Sequence, residues 1–319
     1  MDIVQRSIDS TGGDRKFDTV NTGDFVNLLL IDQRDTISLI TKKKGFNKYW
    51  TSTLSIGYAN TTTIYNNGRA VIIKNDSVRE IIDPLELEAL AFSCYISTDY
   101  AYKKLGYKLT RLDDEKFENF DCYAVLAESP LGQHSVNYYD KKNGKLLMII
   151  YPSGNRSINT EYFKHEGVSV PFKVLMSSHQ QGKYTWSRLE QLDYEPPSDT
   201  GWFTLPAKGS YKAPQSFRTG TFNFLSNNGS GKIVRGDQGE VESIKDVKNT
   251  KDVKNTYEIK WMSDNDYLIF RLKNSASPPT NDNIEYRKCR IITWSGNKYY
   301  CQYLTSSYAG GTAVFEKGQ

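Results

Sequence analysis

Short segments in which polar and apolar residues alternate, each ended by a turn signal, run through most of this chain. One group lies between residues 25 and 74, and a second lies between residues 122 and 194. In the first group, Asn67-Gly68 is a dipeptide that two-residue hairpin turns favour, because both positions of such a turn need a positive φ. Repeated strands joined by tight turns predict long antiparallel meanders. The expected fold class is therefore mainly β.

Composition excludes some of the functional classes to which this chain could belong. The net charge is only +4 over 319 residues, hydrophobic residues make up 38%, and there are 22 tyrosines. Few aliphatic and many Tyr residues are typical of half-exposed β-sheet. The small net charge argues against a nucleic-acid partner. The longest apolar run, Leu146 to Tyr151, is far shorter than the ~20 residues of a membrane-spanning helix, so we expect no transmembrane segment.

One strong helix signal interrupts the strands, from Pro84 to Leu105. Asp83 is a typical N-cap, Pro84 suits the first helical position, and Gly106 ends the helix. Its polar residues fall in one narrow stripe, with apolar residues on both sides. A helix on a flat sheet needs only one apolar face. The pattern predicts a central helix that is either embraced by a curved sheet or shared between the protein and an apolar ligand.

A second series of strands follows a proline-rich break and a linker at residues 206–209. The predicted domains are residues 1–206 and residues 207–319, and the second is also all-β. Within the second, the hexapeptide Lys-Asp-Val-Lys-Asn-Thr occurs twice in succession, at 245–250 and 251–256. Loops tolerate such insertions, so an exposed hairpin tip and a charged binding finger are both consistent with the repeat.

The sequence carries no signature of catalysis or of a metal site. If Trp294 faces Tyr299 in the last hairpin, then Cys301 faces Ile292 and not Cys289. We therefore expect free thiols, no catalytic residues, no metal ligands and no cofactor. A histidine and a carboxylate together in a deep cleft would instead indicate an enzyme. The residues considered are His134, His165, His179, Cys94, Cys122, Cys289 and Cys301.

A series of weak motifs occurs in a familiar order through the first 206 residues. After Gly12-Gly13 and the helix at Pro84, these are Glu118-Asn119-Phe120-Asp121-Cys122-Tyr123, Val136-Asn137-Tyr138-Tyr139-Asp140, Tyr162-Phe163-Lys164-His165-Glu166-Gly167-Val168-Ser169-Val170-Pro171 and Trp202-Phe203-Thr204-Leu205-Pro206. The series resembles the lipoprotein-localisation (LolA/LolB-like) fold in its divergent Bacteroidetes-type form. The resemblance implies a curved antiparallel half-barrel whose apolar concave face is covered by helices.

The second unit more weakly resembles small lipocalin-like β domains, barrels or sandwiches, of the same bacteria. The matching segments are Phe217–Phe222 and Ile259–Tyr267, together with Arg235, Gln238 and Glu240. Both resemblances imply a protein of the cell envelope, in the periplasm or associated with the outer membrane. No signal-peptide segment is present in the first 25 residues, so either a leader was removed or the protein is cytoplasmic.

These observations lead to two hypotheses for function. The first is a non-enzymatic envelope protein that binds or carries an acyl chain or another apolar ligand in a slot between helix and sheet. Its partners would be a lipid, a lipoprotein acyl chain or envelope proteins. The alternative is an envelope scaffold or protein-interaction module without a small-molecule ligand. The residues predicted to line the slot, each of which also suits an ordinary core, are Leu28, Leu30, Trp50, Phe92, Tyr95 and Ile96.

One run of like charges, Lys42-Lys43-Lys44, precedes Gly45 at a predicted hairpin turn. Near an anionic membrane surface each such cation contributes about 1 kcal/mol to binding. A solvated turn that protects a sheet edge is the other interpretation. Both interpretations place the three side chains in solvent.

Overall fold

A computed structural model describes residues 2–20, 22–31, 35–54, 60–74, 76–178, 183–194, 200–206, 209–226, 229–245, 252–271, 286–305 and 311–318. Strands dominate this part of the chain and form one large curved sheet and one closed eight-stranded barrel. The prediction of a mainly β protein, with a half-barrel followed by a second all-β unit, is confirmed. The domain boundary at residue 206 stays a prediction.

The large sheet has fifteen antiparallel strands. Their order in space is β15-β6-β5-β4-β3-β2-β1-β14-β13-β12-β11-β10-β9-β7, and β8 also pairs with β9. Their bounds are β1 Thr22–Ile31, β2 Asp35–Lys44, β3 Lys48–Leu54, β4 Thr61–Asn66, β5 Arg69–Lys74, β6 Ser77–Ile81, β7 Lys108–Arg111, β8 Glu115–Phe117, β9 Phe120–Glu128, β10 His134–Asp140, β11 Leu146–Ile150, β12 Arg156–His165, β13 Val168–Ser178, β14 Lys183–Asp193 and β15 Gly209–Ser210.

The turn predicted at Asn67-Gly68 joins β4 to β5. Both residues have positive φ, 51° and 82°, as a tight hairpin turn requires. The pairing of Asn66 with Arg69 on either side shows that the loop has two residues. Local turn chemistry therefore sets the register of this part of the sheet.

The barrel closes because its first strand pairs with its last. Its strands are β16 Gly220–Ser226, β17 Gly229–Arg235, β18 Gly239–Lys245, β19 Asp252–Trp261, β20 Asp266–Arg271, β21 Tyr286–Ser295, β22 Lys298–Thr305 and β23 Thr312–Lys317. The second copy of the hexapeptide repeat enters β19, whereas residues 246–251 lie outside the described residues. All four cysteines are buried free thiols. Trp294 faces Tyr299 as predicted, but a bulge places Cys301 opposite Ile291 instead of Ile292.

Four α-helices lie on one face of the sheet: α1 Asp2–Thr11, α2 Asp14–Thr19, α3 Pro84–Ser93 and α4 Thr98–Lys104. The prediction of one continuous helix over Pro84–Leu105 is therefore wrong. Asp83 does cap α3, because its carboxylate accepts a hydrogen bond from the amide of Leu85 at 2.9 Å. The chain then leaves helical geometry between Cys94 and Ser97.

Ser97 explains this break. Its backbone is extended, with φ −109° and ψ 129°, and its hydroxyl accepts a hydrogen bond from the amide of Tyr100. A serine in this conformation caps the start of a new helix. The two helices differ in burial: α3 has no buried residue, whereas α4 buries Asp99 and the three residues after it. In place of the predicted central helix, the structure thus has one surface helix and one buried helix.

The two faces of the sheet have different partners. On the helix face, α1, α2 and α4 cover a core that includes Ile8, Phe17 and Tyr100. On the opposite side, which we call the barrel face, Trp50 packs with Trp202, which in turn packs with Tyr300 of the barrel. Trp202 belongs to a 3-10 helix at Thr200–Phe203. The barrel and the sheet therefore share one apolar core.

A polar cluster secures the same junction. Arg290 of β21 donates hydrogen bonds to Asp76 at 2.9 Å and to Asp266 at 2.7 Å. The fully buried Asn265 also donates to Asp76, at 2.8 Å, and to the carbonyl of Tyr211, at 2.6 Å. Ion pairs and hydrogen bonds in this cluster satisfy groups that the junction buries.

Candidate functional site

A row of paired residues crosses five strands on the helix face of the sheet. Gly23 of β1 pairs with Lys43 of β2, Lys43 with Tyr49 of β3, Tyr49 with Tyr65 of β4, and Tyr65 with Ala70 of β5. Residues directly opposite each other in antiparallel strands project to the same side. Hairpin register therefore places one lysine beside two tyrosines, next to a glycine without a side chain.

Helix α3 lies over the end of this row. Leu87, Leu90 and Ala91 pack against the cluster formed by Tyr65, Ala70, Ile81 and Cys94. No residue of α3 is buried, although six of its ten residues are Leu, Ala or Phe. An apolar helix normally buries its apolar side in the core. Here both sides of α3 keep apolar surface accessible.

The break between α3 and α4 places two predicted residues over the row. The ring of Tyr95 stacks on Phe46, with centroids 5.0 Å apart. A Cβ atom on Gly23 would lie 3.7 Å from Cδ1 of Ile96 and 2.8 Å from Phe25. Ile96 and Phe25 therefore meet beside Gly23, in space that a larger residue at this position would occupy.

Lys43 brings a positive charge into this region. Its ammonium group donates a hydrogen bond to the backbone carbonyl of Tyr95 and lies 5.5 Å from the ring centroid of Phe25. Desolvation lowers the pKa of Lys43 to about 8. The ammonium group therefore stands in an apolar environment, held by a carbonyl and an aromatic face.

Neighbouring groups share this environment. Burial raises the pKa of the Cys94 thiol to about 12, although nearby Lys43 opposes the shift, and burial also raises the pKa of Tyr49. The thiol is therefore protonated at neutral pH and acts as a small apolar group. We call this region the joint site, after the joint between α3 and α4; it consists of Phe25, Lys43, Tyr49, Tyr65, Cys94, Tyr95 and Ile96.

Incomplete burial is the main feature of the joint site. Phe25, Tyr49, Tyr95 and Ile96 are all only partly buried, although each packs against a core cluster. Well-packed cores leave few large apolar side chains in this state. The joint site therefore presents partly exposed apolar side chains beside the ammonium group of Lys43, which suits a molecule with an apolar tail.

The structure separates the residues that were predicted to line a slot. Tyr95 and Ile96 belong to the joint site. Phe92 packs instead with Tyr102 and Tyr107, with centroids 5.3 Å and 5.6 Å away. The side chains of Leu28 and Leu30 lie outside the described residues, although their backbones belong to β1.

Trp50 lies on the other face of the sheet. It is fully buried against Trp202, and it is the neighbour in sequence of Tyr49, which belongs to the joint site. Successive side chains of a strand point to opposite faces, so Trp50 and Tyr49 are separated by the sheet itself. The predicted grouping of Trp50 with Tyr95 and Ile96 is therefore not found.

The lysine run is not an exposed turn, contrary to both interpretations made from the sequence. It ends strand β2, and the turn follows at residues 45–47. Lys42 points to the barrel face, where it is buried in an ion pair with Asp24 and lies over the ring of Trp202. Lys43 points to the helix face. Strand alternation thus gives adjacent lysines different environments.

A second buried carboxylate lies at the other end of the helix layer. Asp99 of α4 accepts hydrogen bonds from the hydroxyls of Ser7 and Tyr139, each at 2.6 Å. Desolvation raises its pKa to about 6, against the effect of these two hydrogen bonds. Asp99 joins α1, α4 and β10, and no ion pair to it occurs in the described part of the chain.

Other polar groups are less suited to a site. A surface cavity of about 640 Å³ is lined by Arg111, Leu112, Asp113 and Asp114, and Arg111 and Asp114 already pair at 2.9 Å. His165 lies 3.7 Å from Glu166 on the surface. Within the described ranges, no group of three or more His, Cys, Asp or Glu is arranged to hold a metal ion. No helix there is long and apolar enough to cross a membrane.

Comparison with known proteins gives structural matches only. No family model matches the chain, and no curated protein matches its sequence. One similar structure is a DUF1329 family protein from Desulfovibrio piger, with 12% identity, 64% of this chain and 96% of that chain covered, and a TM-score of 0.47.

Two further matches carry names related to lipoprotein sorting. One is a putative outer membrane lipoprotein-sorting protein domain from Vibrio parahaemolyticus, with 13% identity, coverage of 64% and 95%, and a TM-score of 0.45. The other is a LolA superfamily protein from Nitrosomonas europaea, with 10% identity, coverage of 64% and 96%, and a TM-score of 0.46. The family that the sequence resembles is thus among the proteins that the structure matches.

Proposed function

We propose that this protein is a non-enzymatic binding protein of the cell envelope that holds an acyl chain or a similar apolar ligand at the joint site. The observation that carries the proposal is the partial burial of Phe25, Tyr49, Tyr95 and Ile96 beside an apolar helix that buries none of its own residues. An apolar tail placed there would remove this surface from water, at roughly 25 cal/mol per Å² of apolar area.

The chain's sequence motifs support the same proposal. Their order resembles the lipoprotein-localisation fold, which implies the periplasm or the outer membrane as the location and a lipid or a lipoprotein acyl chain as the partner. The joint site also agrees with binding better than with catalysis, because its thiol is protonated and its cation is held by a carbonyl.

Native mass spectrometry of gently purified protein tests the proposal. We expect a co-purifying species with the mass of a lipid, and we expect the variant Ile96→Gln to carry less of it because a polar amide would interrupt the apolar surface. Leu131→Gln is the matched control, since Leu131 is 51% exposed and lies on the β9–β10 loop. Lipid-free protein that also fails to displace a fluorescent fatty acid would contradict the proposal.

A protein-interaction role is the second candidate, and a different surface favours it. Ile82 is 80% exposed just before α3, and Leu85 in its first turn is 41% exposed. Glu88 of the same helix accepts hydrogen bonds from the Ser129 hydroxyl at 2.6 Å and from the Leu131 amide at 3.2 Å. This contact fixes the β9–β10 loop beside α3 and extends the exposed apolar surface. Exposed apolar patches of this kind occur at protein interfaces.

Light scattering separates the two candidates. If the surface around Ile82 joins two copies of the chain, the protein should be a dimer, and the double variant Ile82→Lys and Leu85→Lys should be a monomer. If the wild-type protein is a monomer that retains bound lipid, the binding function stands alone.

A further inference from the structure

We propose that the ligand of the joint site carries an anionic head group, a carboxylate or a phosphate, and that the ammonium group of Lys43 binds it. This inference rests on the proposed function, because it names the chemistry of the ligand for the same site.

The first argument is the lack of a counter-ion. Nζ of Lys43 contacts the carbonyl of Tyr95 and the ring of Phe25, and no ion pair to Lys43 occurs among the residues described here. An ammonium group has three donors, and one is used by the carbonyl. The two remaining donors are available to oxygen atoms of a ligand.

The second argument comes from comparison with three buried cations, Lys42, Arg235 and Arg290. Lys42 is paired with Asp24, Arg235 pairs with Glu240 at 2.7 Å, and Arg290 pairs with two aspartates. Removing a charge from water is costly unless an opposite charge compensates for it. Lys43 differs from these three cations, because no carboxylate of the described residues pairs with it. A bound anion would supply that compensation.

The third argument is the apolar surface beside the ammonium group. The residue opposite Lys43 on β1 is the buried Gly23, and the ring of Phe25 lies where a side chain there would project, 2.8 Å from an added Cβ. An anionic head group on the ammonium group would therefore leave its acyl chain in contact with Ile96 and Phe25. The chain would continue along the row under α3, where Leu87 and Leu90 lie. The site thus offers a polar end and an apolar path.

Three ligands that differ only at the head group test this inference on the whole protein. They are hexadecanoate, 1-hexadecanoyl-lysophosphatidate and hexadecan-1-ol, each titrated by displacement of a fluorescent fatty acid. We expect the wild-type protein to bind at least one anionic ligand about 10- to 100-fold more tightly than the alcohol, the range expected of a hydrogen bond to a charged group. Preference between the two anions identifies carboxylate or phosphate as the head group.

Variants of adjacent lysines assign the effect to Lys43. Lys43→Met should bind the anionic ligand and the alcohol with similar affinity, while Lys43→Arg should keep most of the preference. Lys44→Met is the control, because it removes the same charge from the next residue of the same strand. Far-ultraviolet circular dichroism and the unfolding midpoint verify folding, and the wild-type comparison does not depend on any variant.

The outcomes separate the inference from the proposed function. If the wild-type protein binds the alcohol as tightly as both anions, or if Lys43→Met keeps the preference, the head-group inference is wrong while apolar binding stands. If none of the three ligands binds, the proposed function fails and the inference fails with it.

Discussion

The indole ring of Trp50 packs edge-on against the indole ring of Trp202, with centroids 5.0 Å apart and planes at 65°. Trp50 comes from the middle of the large sheet, and Trp202 comes from the segment that leads to the barrel. Trp202 in turn packs on Tyr300 of the barrel at 5.1 Å. Gly201 permits this approach, since a Cβ at that position would lie 1.8 Å from the Tyr300 hydroxyl. The contact therefore connects the two β units through a shared core.

Replacing Trp202 should destabilise the whole chain. We expect Trp202→Ala to reduce the free energy of unfolding by about 3–5 kcal/mol, because a large buried ring is lost between two packed surfaces. Chemical denaturation monitored by circular dichroism measures the change. Phe120→Ala, which truncates a ring that is 42% exposed, is the control and should cost far less. A loss below 1 kcal/mol for Trp202→Ala would show that this interface contributes little.

Arg290 provides a second test of the junction. The variant Arg290→Met leaves Asp76 and Asp266 without their common cation, and breaking a buried ion pair typically costs about 3–5 kcal/mol. Arg69→Met is the matched control, because Arg69 pairs with Glu80 on the surface and is 72% exposed at its side chain. Surface pairs contribute about 0–1 kcal/mol. Equal unfolding midpoints for the two variants would contradict a structural role for Arg290.

The strand pattern could be predicted from the sequence because its signals are local. Asn67 and Gly68 both have positive φ, and the tight turn that they form pairs β4 with β5. The break before α4 also had a local signal, since Ser97 is a good N-cap residue two positions before Asp99. That signal was outweighed by the apolar pattern, which continues through Tyr95 and Ile96 and hides the end of α3.

The joint site was harder to predict because it depends on which face of the sheet meets the helices. Alternation shows that Trp50 and Tyr49 point in opposite directions, but the helix face is decided by contacts that are remote in sequence. Trp202, 152 positions after Trp50, covers one face, and Tyr95 lies on the other. The sequence singled out Lys43 in a lysine run but did not show its apolar surroundings, because the pattern alone does not tell which face of β2 the helices cover. Following the hairpin pairings from Gly23 to Tyr65 along the sequence would have identified this row of paired residues.

Stability should depend on pH through Asp99. Its pKa is raised from the usual 3.8 to about 6 in the folded protein. The folded state therefore binds this proton more tightly than the unfolded state, so the contribution of Asp99 to stability is greatest below about pH 4 and is lost as pH rises towards 6 and above. Two pKa units correspond to about 3 kcal/mol. The effect is a penalty on the native state at neutral pH.

The variant Asp99→Asn removes this penalty. We expect its free energy of unfolding, relative to that of the wild type, to increase by about 2 kcal/mol between pH 4 and pH 7. Denaturation at a series of pH values measures the difference, and Asp113→Asn on the surface is the control. A difference that stays constant over this range would show that Asp99 does not titrate there.

The thiol of Cys94 should be unreactive in the folded protein. Burial raises its pKa to about 12, so at pH 8 only about one molecule in 10⁴ carries the reactive thiolate. The other three cysteines are also buried. We therefore expect Ellman's reagent to label no thiol within minutes under native conditions and to label four after denaturation in guanidinium chloride. Rapid native labelling of one thiol that disappears in Cys94→Ala would show instead that solvent reaches the joint site freely. That result would remove the physical basis for a desolvated Lys43, because the two groups share the same surroundings.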